Sequence, residues 1–447
     1  MSFASRVEKV FKSVLPTPFT IAVILTFFTF LLALFITESK VGENHFLQLL
    51  QFWEKGVWHP PLLVFAMQMM LMLVLGHTLA LSKPISNLIE KGTKYCNNTA
   101  NAATIICFFT LLVSFFNWGL GLIFGAIFAR KVGEYASKKG ILLNYPLIGA
   151  AGYSGLMVWH GGISGSAPIK IAEEGHFLVD KIGVISQAET VFSTMNISIS
   201  IVLLITLPLL MYYLGKKNKG KTLNLSTSEQ SETTTISGAE KLDHSRIMAF
   251  LFGGIILFYA FYKAFILPET ISFKVINPNY INLVLLGLAI VMHKSFFNFL
   301  KAVNSAIGGA SGILIQFPLY FGIMGIMNHS GLVQIMSDFF VDISNETTFP
   351  IFTFISAGIV NVFVPSGGGQ WAVQGPIIVE AATKLGVSIP KSVMALAYGD
   401  QLTNMLQPFW ALPLLGITGL KAKEILPYTL ILLLAGIVIF IGGLLIF

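Results

Sequence analysis

Val364-Pro365-Ser366-Gly367-Gly368-Gly369-Gln370-Trp371 interrupts a long apolar stretch, with Phe349–Phe363 before it and Ala372–Ala382 after it. Proline removes a backbone donor, and each glycine carries the largest entropy cost of ordering, so no helix runs through. Inside lipid, unwound backbone survives only where protein buries it or where it lines a wet cavity. The stretch therefore predicts a hairpin over residues 349–384: two helical arms meeting at a non-helical tip, with the tip a candidate binding site.

The surrounding composition places this break in a membrane. Of 447 residues, 55% are hydrophobic and 11% are charged, against about 25% charged in soluble globular chains. Repeated apolar stretches of about 20 residues make the chain an all-α polytopic membrane protein. The first, Thr17–Thr37, is too long for a signal-peptide core and lacks a small-residue cleavage site, so it reads as a retained span. A net charge of +7 follows from basic residues gathered at one membrane face and does not argue for nucleic acid. The two cysteines, Cys96 and Cys107, fall near the expected cytoplasmic side, where a disulfide is not expected. They are too few for a metal site.

Working outward, a second break, Asn117-Trp118-Gly119-Leu120-Gly121, interrupts Ala102–Arg130. Its arms read as about 15 and 9 residues, short of the roughly 20 that a crossing needs. A single crossing would also put the basic loop Arg130, Lys131, Lys138 and Lys139 on the opposite side from Lys91 and Lys94, against the positive-inside bias. Residues 102–130 are thus expected to enter from the cytoplasm and return. Spans are expected at Pro60–Leu81, Leu142–Pro168 (broken by glycines), Thr190–Leu214, Ile247–Leu267, Ile281–His293 (short, or extended by Ser295–Leu300), Ser305–Met327, Ser392–Ile417 (broken) and Ile425–Phe447. Residues 38–59 read as a connection. The loop carrying Asp338, Asp342 and Glu346 should face outside, and the N-terminus with Arg6, Lys9 and Lys12 should be cytoplasmic. The polar tract between the halves lacks periodicity and reads as a cytoplasmic linker.

Phe115–Gly121 aligns weakly with Phe363–Gly369, and Gly152-Tyr153-Ser154-Gly155 with Gly399-Asp400-Gln401-Leu402. Each half reads hairpin, broken span, span. Two spans precede the first hairpin and three precede the second, so the halves should be inverted and the second hairpin should enter from the periplasm. The expected fold is two inverted repeats, with about nine transmembrane spans plus two re-entrant hairpins. Its parts are residues 1–214, a linker at 215–246 and residues 247–447. Such an architecture belongs to secondary transporters, whose site lies at the midplane between the repeats.

Asp400 stands out because an aspartate at the centre of a membrane helix costs about 2.5–3.5 kcal/mol on insertion scales and defaults to function. It reads as a cation ligand or proton carrier, against a structural acid at an unwound helix end. Gln401, Thr403, Asn404 and Gln407 supply nearby oxygens, which suit Na⁺ near Asp400 and Asn404. Ser366, the amides of Gly367, Gly368 and Gly369, and Gln370 suit an anion, since a helix N-terminus with exposed N–H groups attracts negative charge. Asn117 and Gly119 are their counterparts in the first hairpin, with Ser154 in the first broken span. Close helix packing is the alternative reading of these glycines, but a triple glycine after Pro-Ser goes beyond what packing needs and favours the site. Only Arg6, Arg130 and Arg246 are arginines, none deep in an apolar run, so an anion would be held by dipoles, hydroxyls and amides, or with the help of a co-bound cation.

His160-Gly161-Gly162-Ile163-Ser164-Gly165-Ser166-Ala167-Pro168 is a third cluster, with His160 a candidate for proton or substrate handling. Its Gly162-x-Ser164-Gly165 pattern also resembles the nucleophile motif of rhomboid proteases, which would need a histidine within hydrogen-bond reach of Ser164. Glu380 and Lys384 are placed to pair at i,i+4 as a structural contact.

Trp159–Pro168, Val364–Pro376 and Tyr398–Pro413 together resemble the bacterial short-chain fatty acid transporter family, over nearly the whole chain. The resemblance implies inner-membrane uptake of short monocarboxylates such as acetoacetate or butyrate, and no enzyme activity. More remotely the chain resembles the ion transporter superfamily, whose hairpin tips carry Ser-Asn-Thr around substrate and Na⁺. The tips here, Asn117-Trp118-Gly119 and Pro365-Ser366-Gly367, lack the full triplet. Sodium and a proton carried by Asp400 or His160 both stay open as coupling ion, and no other cofactor is expected. The expected partners are a short monocarboxylate and the lipid bilayer, with a homodimer left open. A cation exchanger or a carrier of larger carboxylates on the same scaffold is the alternative.

Overall fold

A computed structural model describes residues 16–38, 44–217, 220–223, 238–364 and 366–447. The basic N-terminal segment (Arg6, Lys9, Lys12), residues 224–237 of the linker and Pro365 lie outside the described residues. The first half comprises α1 (Pro18–Ile36), α2 (His45–Val57), α3 (Pro60–Ala80), α4 (Lys83–Thr93), α5 (Thr99–Phe116), α6 (Trp118–Lys139), α7 (Tyr145–Tyr153), α8 (Ser166–Ile171), α9 (Val179–Ile182) and α10 (Thr194–Lys217). The second comprises α11 (Glu240–Asp243), α12 (Arg246–Phe261), α13 (Pro278–His293), α14 (Phe296–Ala306), α15 (Ser311–Ser330), α16 (Leu332–Ile343), α17 (Phe349–Phe363), α18 (Gly367–Leu385), α19 (Ile389–Thr403), α20 (Pro408–Thr418) and α21 (Ala422–Ile446). Among the described residues the only β contact is an isolated bridge, Leu143 with Lys221.

By length and apolarity, 7 helices among the described residues can cross a membrane, and α13 and α17 are shorter apolar helices. The windows of α1 and Arg246–Ile266 are each 22% buried, against 67% for α3. Thus α3 runs through the interior, while the other two present apolar side chains such as Phe28 and Phe258 outward, as lipid-facing helices do.

Several expected boundaries move. The first hairpin runs over Thr99–Lys139 with arms of 18 and 22 residues, so arm length is no argument for it. What identifies it is packing. Gly121 lies against Ser114, and Gly125 against Thr110 one turn further along, so α5 and α6 run antiparallel. Residues 38–59, expected as a connection, contain α2, and the basic stretch after α3 contains α4. The expected span Ser305–Met327 belongs to a longer helical stretch, Phe296–Ser330, in which a 3₁₀ turn at Ile307–Ala310 joins the amphipathic α14 to α15. Of the acidic loop, Asp338 and Asp342 lie in the helix α16 and Glu346 follows it. In each case the apolar stripe is too narrow to stand out beside longer apolar runs, yet wide enough to bury one face against a neighbour. The linker is shorter than its composition suggests, because α10 extends to Lys217 and Lys221 pairs with Leu143.

Both tips are closed by the same local device. Asn117 is extended (φ −148°) and its Oδ1 accepts from the Leu120 N–H at 2.8 Å, capping α6. Ser366 is extended (φ −162°) and its Oγ accepts from the Gly369 N–H at 3.2 Å, capping α18. A side-chain oxygen thus takes one of the orphan donors at each helix start. The cap equivalence pairs Asn117 with Ser366, one position away from the register that the glycines suggested.

The pair Glu380–Lys384 is present but long, at 3.8 Å. Glu380 has its shorter contact with Lys181 at 2.9 Å, and Lys384 with Asp338 at 2.7 Å. These join α18 to the α9 turn and to α16. Cys96 and Cys107 are both buried and free.

Candidate functional site

The segment 158–165 is where the two tips meet. It leaves the helix because Gly161, Gly162 and Gly165 follow the short 3₁₀ turn Ser154–Met157. Its far side docks on the first hairpin: the Ile163 N–H donates to the Phe115 carbonyl at 2.8 Å, and the Trp118 N–H donates to Ser164 Oγ at 3.0 Å. Its near side carries Trp159 and His160, stacked with ring centroids 4.5 Å apart. Gly367, the first residue of α18, lies on those two rings; a Cβ there would sit 2.6 Å from Trp159 Cη2 and 2.7 Å from His160 Cε1. Only glycine allows that approach. Asn196 of α10 braces the loop, donating from Nδ2 to the Gly161 carbonyl at 2.8 Å while its Oδ1 accepts from the Tyr398 hydroxyl at 3.0 Å.

His160 and Asp400 are fully buried and in contact, Nδ1 to Oδ2 at 2.5 Å, although 240 positions apart in the chain. The hydrogen-bond network assigns the tautomer. The Ala167 N–H donates to Nε2 at 3.1 Å, so the ring proton resides on Nδ1 and is donated to the carboxylate. Gln401 Oε1 accepts from the N–H groups of His160 and Gly161 at 2.9 and 3.1 Å, which fixes the loop to α19. Asp400 Oδ1 is buried with no hydrogen-bond partner among the described residues. A carboxylate oxygen in that position can take up a proton or ligate a cation.

Around the broken end of α19 the organising residue is Asn361, which the sequence reading passed over. Its Nδ2 lies 2.7 Å from the Asp400 carbonyl, 2.9 Å from Thr403 Oγ1 and 2.9 Å from Asn404 Oδ1. Gln407 Nε2 in turn donates to the Asn361 carbonyl at 2.5 Å, and the Tyr153 hydroxyl donates to the carbonyls of Asn404 and Gln407 at 2.9 and 3.2 Å. The freed carbonyls of the break are thereby satisfied. A lone amide in the apolar arm α17, a few residues before the tip, was the available signal. Replacing it by alanine removes both donors of an amide that serves the Asp400 carbonyl, Thr403 Oγ1 and Asn404 Oδ1, each lost hydrogen bond costing about 1–3 kcal/mol. Asn361→Ala is expected to lower stability by at least about 2 kcal/mol, read as a lower unfolding midpoint in detergent.

The remaining predicted site residues divide. Asp400, Gln401, Thr403, Asn404 and Gln407 gather around the α19 break, and His160 and Gly367 join them. Gly368 and Gly369 instead lie on Phe65 and Phe317 and on Tyr320. Gln370 ties the arms of its own hairpin, donating to the Ala357 carbonyl and Gln374 Oε1 at 2.8 and 2.7 Å. Gly119 is a close-packing position against Leu73 of α3, and Asn117 Oδ1 faces Gly76 there. Ser154 donates to the Ala151 carbonyl at 2.7 Å, within its own turn. Ser164 accepts from Trp118, and both His160 nitrogens are engaged elsewhere, so no Ser164–His160 pair forms.

The interior also contains a cation that an arginine count misses, Lys170 of α8, which is 1% exposed. Its Nζ contacts Glu173 Oε2 at 2.5 Å and Gln68 Oε1 at 3.3 Å and lies 5.2 Å from the Phe65 ring centre. Counting arginines overlooked it, because Lys170 follows the glycine-rich loop and reads as surface.

Among the described residues no group of three or more His, Cys, Asp or Glu side chains is placed to hold a metal ion. Comparison with known proteins fits the helical architecture. The chain shares its fold with the YdaH transporter of Alcanivorax borkumensis (TM-score 0.62, 13% identity, covering 96% of this chain and 98% of that one). It shares it also with MtrF of Neisseria gonorrhoeae, described among antimetabolite efflux pumps (TM-score 0.57, 14% identity, 98% and 97% covered). In sequence it is 36% identical over 440 residues to an Escherichia coli K12 protein that carries the name short-chain fatty acid transporter, covering 97% of this chain and 96% of that one. A Haemophilus influenzae protein of the same name is 36% identical over 460 residues, covering 99% of each. The profile described as "Short chain fatty acid transporter" matches residues 2–447. The chain therefore belongs to the short-chain fatty acid transporter family, as a transporter rather than an enzyme, of the multi-pass bacterial inner-membrane kind.

Proposed function

We propose that the protein takes up short monocarboxylates of the acetoacetate and butyrate class by alternating access, coupled to an inward cation gradient at Asp400. The observation that carries this is the His160–Asp400 contact, which joins the broken span of one half to that of the other and lies under the tip residue Gly367. A buried carboxylate with one bare oxygen is costly to move through a membrane interior, by about 2.5–3.5 kcal/mol on insertion scales. A proton on Oδ1 would remove that cost, and so would Na⁺ held by Asp400 with Asn404 and the nearby break. Cation binding then favours the conformation that admits the substrate anion, which is a coupling between two sites. The carboxylate has donors at the start of α18, where the amides of Gly367 and Gly368 stand at the positive end of a 19-residue helix.

Uptake of labelled butyrate and acetoacetate into proteoliposomes under imposed Na⁺ or H⁺ gradients tests this. Stimulation by one gradient is expected. Rates indifferent to both would end the coupling claim, and stronger competition by dicarboxylates than by butyrate would point to larger substrates.

A further inference from the structure

Glu173 lies at the edge of the interior, one turn beyond α8, and is held as a bound ligand would be. Its Oε2 receives Lys170 Nζ at 2.5 Å, and its Oε1 receives Gln68 Nε2 at 2.5 Å and Asn279 Nδ2 at 3.2 Å. The donors come from three separate elements, α8, α3 and α13. They are braced by Gln68 Nε2 to Asn279 Oδ1 at 3.0 Å and by Asn282 Nδ2 to the Gln68 carbonyl at 3.0 Å. Lys170 and Gln68 are buried while Asn279 is exposed, so the cluster reaches the protein surface at one end. At the other it ends on Phe65, whose ring edge lies 3.0 Å from where a Cβ of Gly368 would stand. One aromatic ring thus separates it from the second hairpin tip.

Beyond its Cα, a glutamate side chain has the atoms of propionate, a short-chain fatty acid. We infer that Lys170, Gln68 and Asn279 form a second binding site for a short monocarboxylate, occupied at rest by the tethered carboxylate of Glu173. An ammonium and two amides converging on one carboxylate satisfy its charge and its lone pairs together. The turn at Glu173-Glu174-Gly175, with Gly175 at φ +77°, lets this carboxylate be attached to the chain yet placed as a free one would be. A tethered group competes at an effective concentration of order mM or more, so a free anion enters only when Glu173 swings outward. The site becomes a waiting station between solvent and the hairpin tip. This inference rests on the reading of the protein as a monocarboxylate carrier.

The test uses the purified full-length protein in detergent, with sodium propionate as probe and sodium chloride at equal ionic strength as reference. Glu173→Ala is expected to lower the unfolding midpoint, and propionate to restore it saturably at concentrations of about 1–10 mM. The wild type should need at least about tenfold more propionate. The double variant Glu173→Ala with Lys170→Met leaves no buried charge and should lose the response. Should Glu173→Ala fail to fold, Glu173→Gln keeps the shape of the cluster and should respond to propionate below the wild-type concentration. A propionate response no larger than that to chloride, equal to the wild type, or retained in the double variant would overturn the inference. Butyrate uptake by the wild type is measured alongside. Rescue without uptake removes the carrier reading and leaves the site standing; uptake without rescue removes the site.

Discussion

Asp400→Asn is expected to abolish gradient-driven uptake while leaving the protein folded. The substitution is isosteric, and its Oδ1 can still accept the His160 Nδ1 proton, so the contact between the broken spans persists without the negative charge. What disappears is the group that would bind the coupling cation. A hydrogen bond or contact to a charged partner is worth about 1.5–3 kcal/mol, and each 1.4 kcal/mol is a factor of about ten. Cation affinity should therefore fall by about 10–100-fold, and butyrate uptake should become equal with and without the gradient. Retained stimulation by Na⁺ or H⁺ would make Asp400 a structural acid and return the coupling question to other residues. Measuring substrate exchange across vesicles without any gradient separates loss of coupling from loss of the carrier itself.

Gly367→Ala should be the most damaging substitution of a single methyl. The added carbon would overlap Trp159 and His160, at 2.6 and 2.7 Å, where ordinary contacts lie at about 3.5–4.0 Å. Both rings are stacked on each other, and His160 is held by Asp400, Ala167 and Gln401, so neither ring has room to yield. The tip must move away instead, taking the amide donors of α18 with it. Overpacking of this kind costs about 1–3 kcal/mol, and uptake should drop by at least about tenfold. Gly416→Ala in α20 is the control, because nothing lies within 4 Å of the added carbon. It should transport as the wild type does and be slightly more stable, since alanine favours helix over glycine by about 1 kcal/mol. Equal transport by both variants would remove the second tip from the site.

The character of the individual elements was legible where the physical constraint is local. Apolar runs have to be helices in lipid, and Asn117 and Pro365–Gly369 had to interrupt them. Those readings depend on a few consecutive residues and on the cost of unpaired backbone. Amphipathic helices such as α2, α4 and α16 escaped notice because charged residues such as Glu54 and Lys55, Glu90 and Lys91, and Asp338 and Asp342 break up their apolar runs. The assignment of the tip glycines was half legible. Gly367 joins His160, whereas Gly368 and Gly369 serve the packing of Phe65, Phe317 and Tyr320, and a run of three identical residues carries no sign of which does what. Asn361 was hidden for another reason. Its importance lies in three oxygens supplied by residues about forty positions later, and no periodicity reports such a meeting.

The sequence by itself determined that this protein is a bundle of membrane helices, broken at two hairpin tips and two further spans, with Asp400 as a rare acid inside it. Hydrocarbon imposes those features one segment at a time. Only the tertiary structure decided that the proton on His160 points at Asp400, that the glycine-rich loop lies between both tips, and that Lys170 and Glu173 are interior residues. Each of these depends on helices far apart in the chain packing together. The electrostatics of a buried group are set by what its neighbours donate, which residue order alone does not specify.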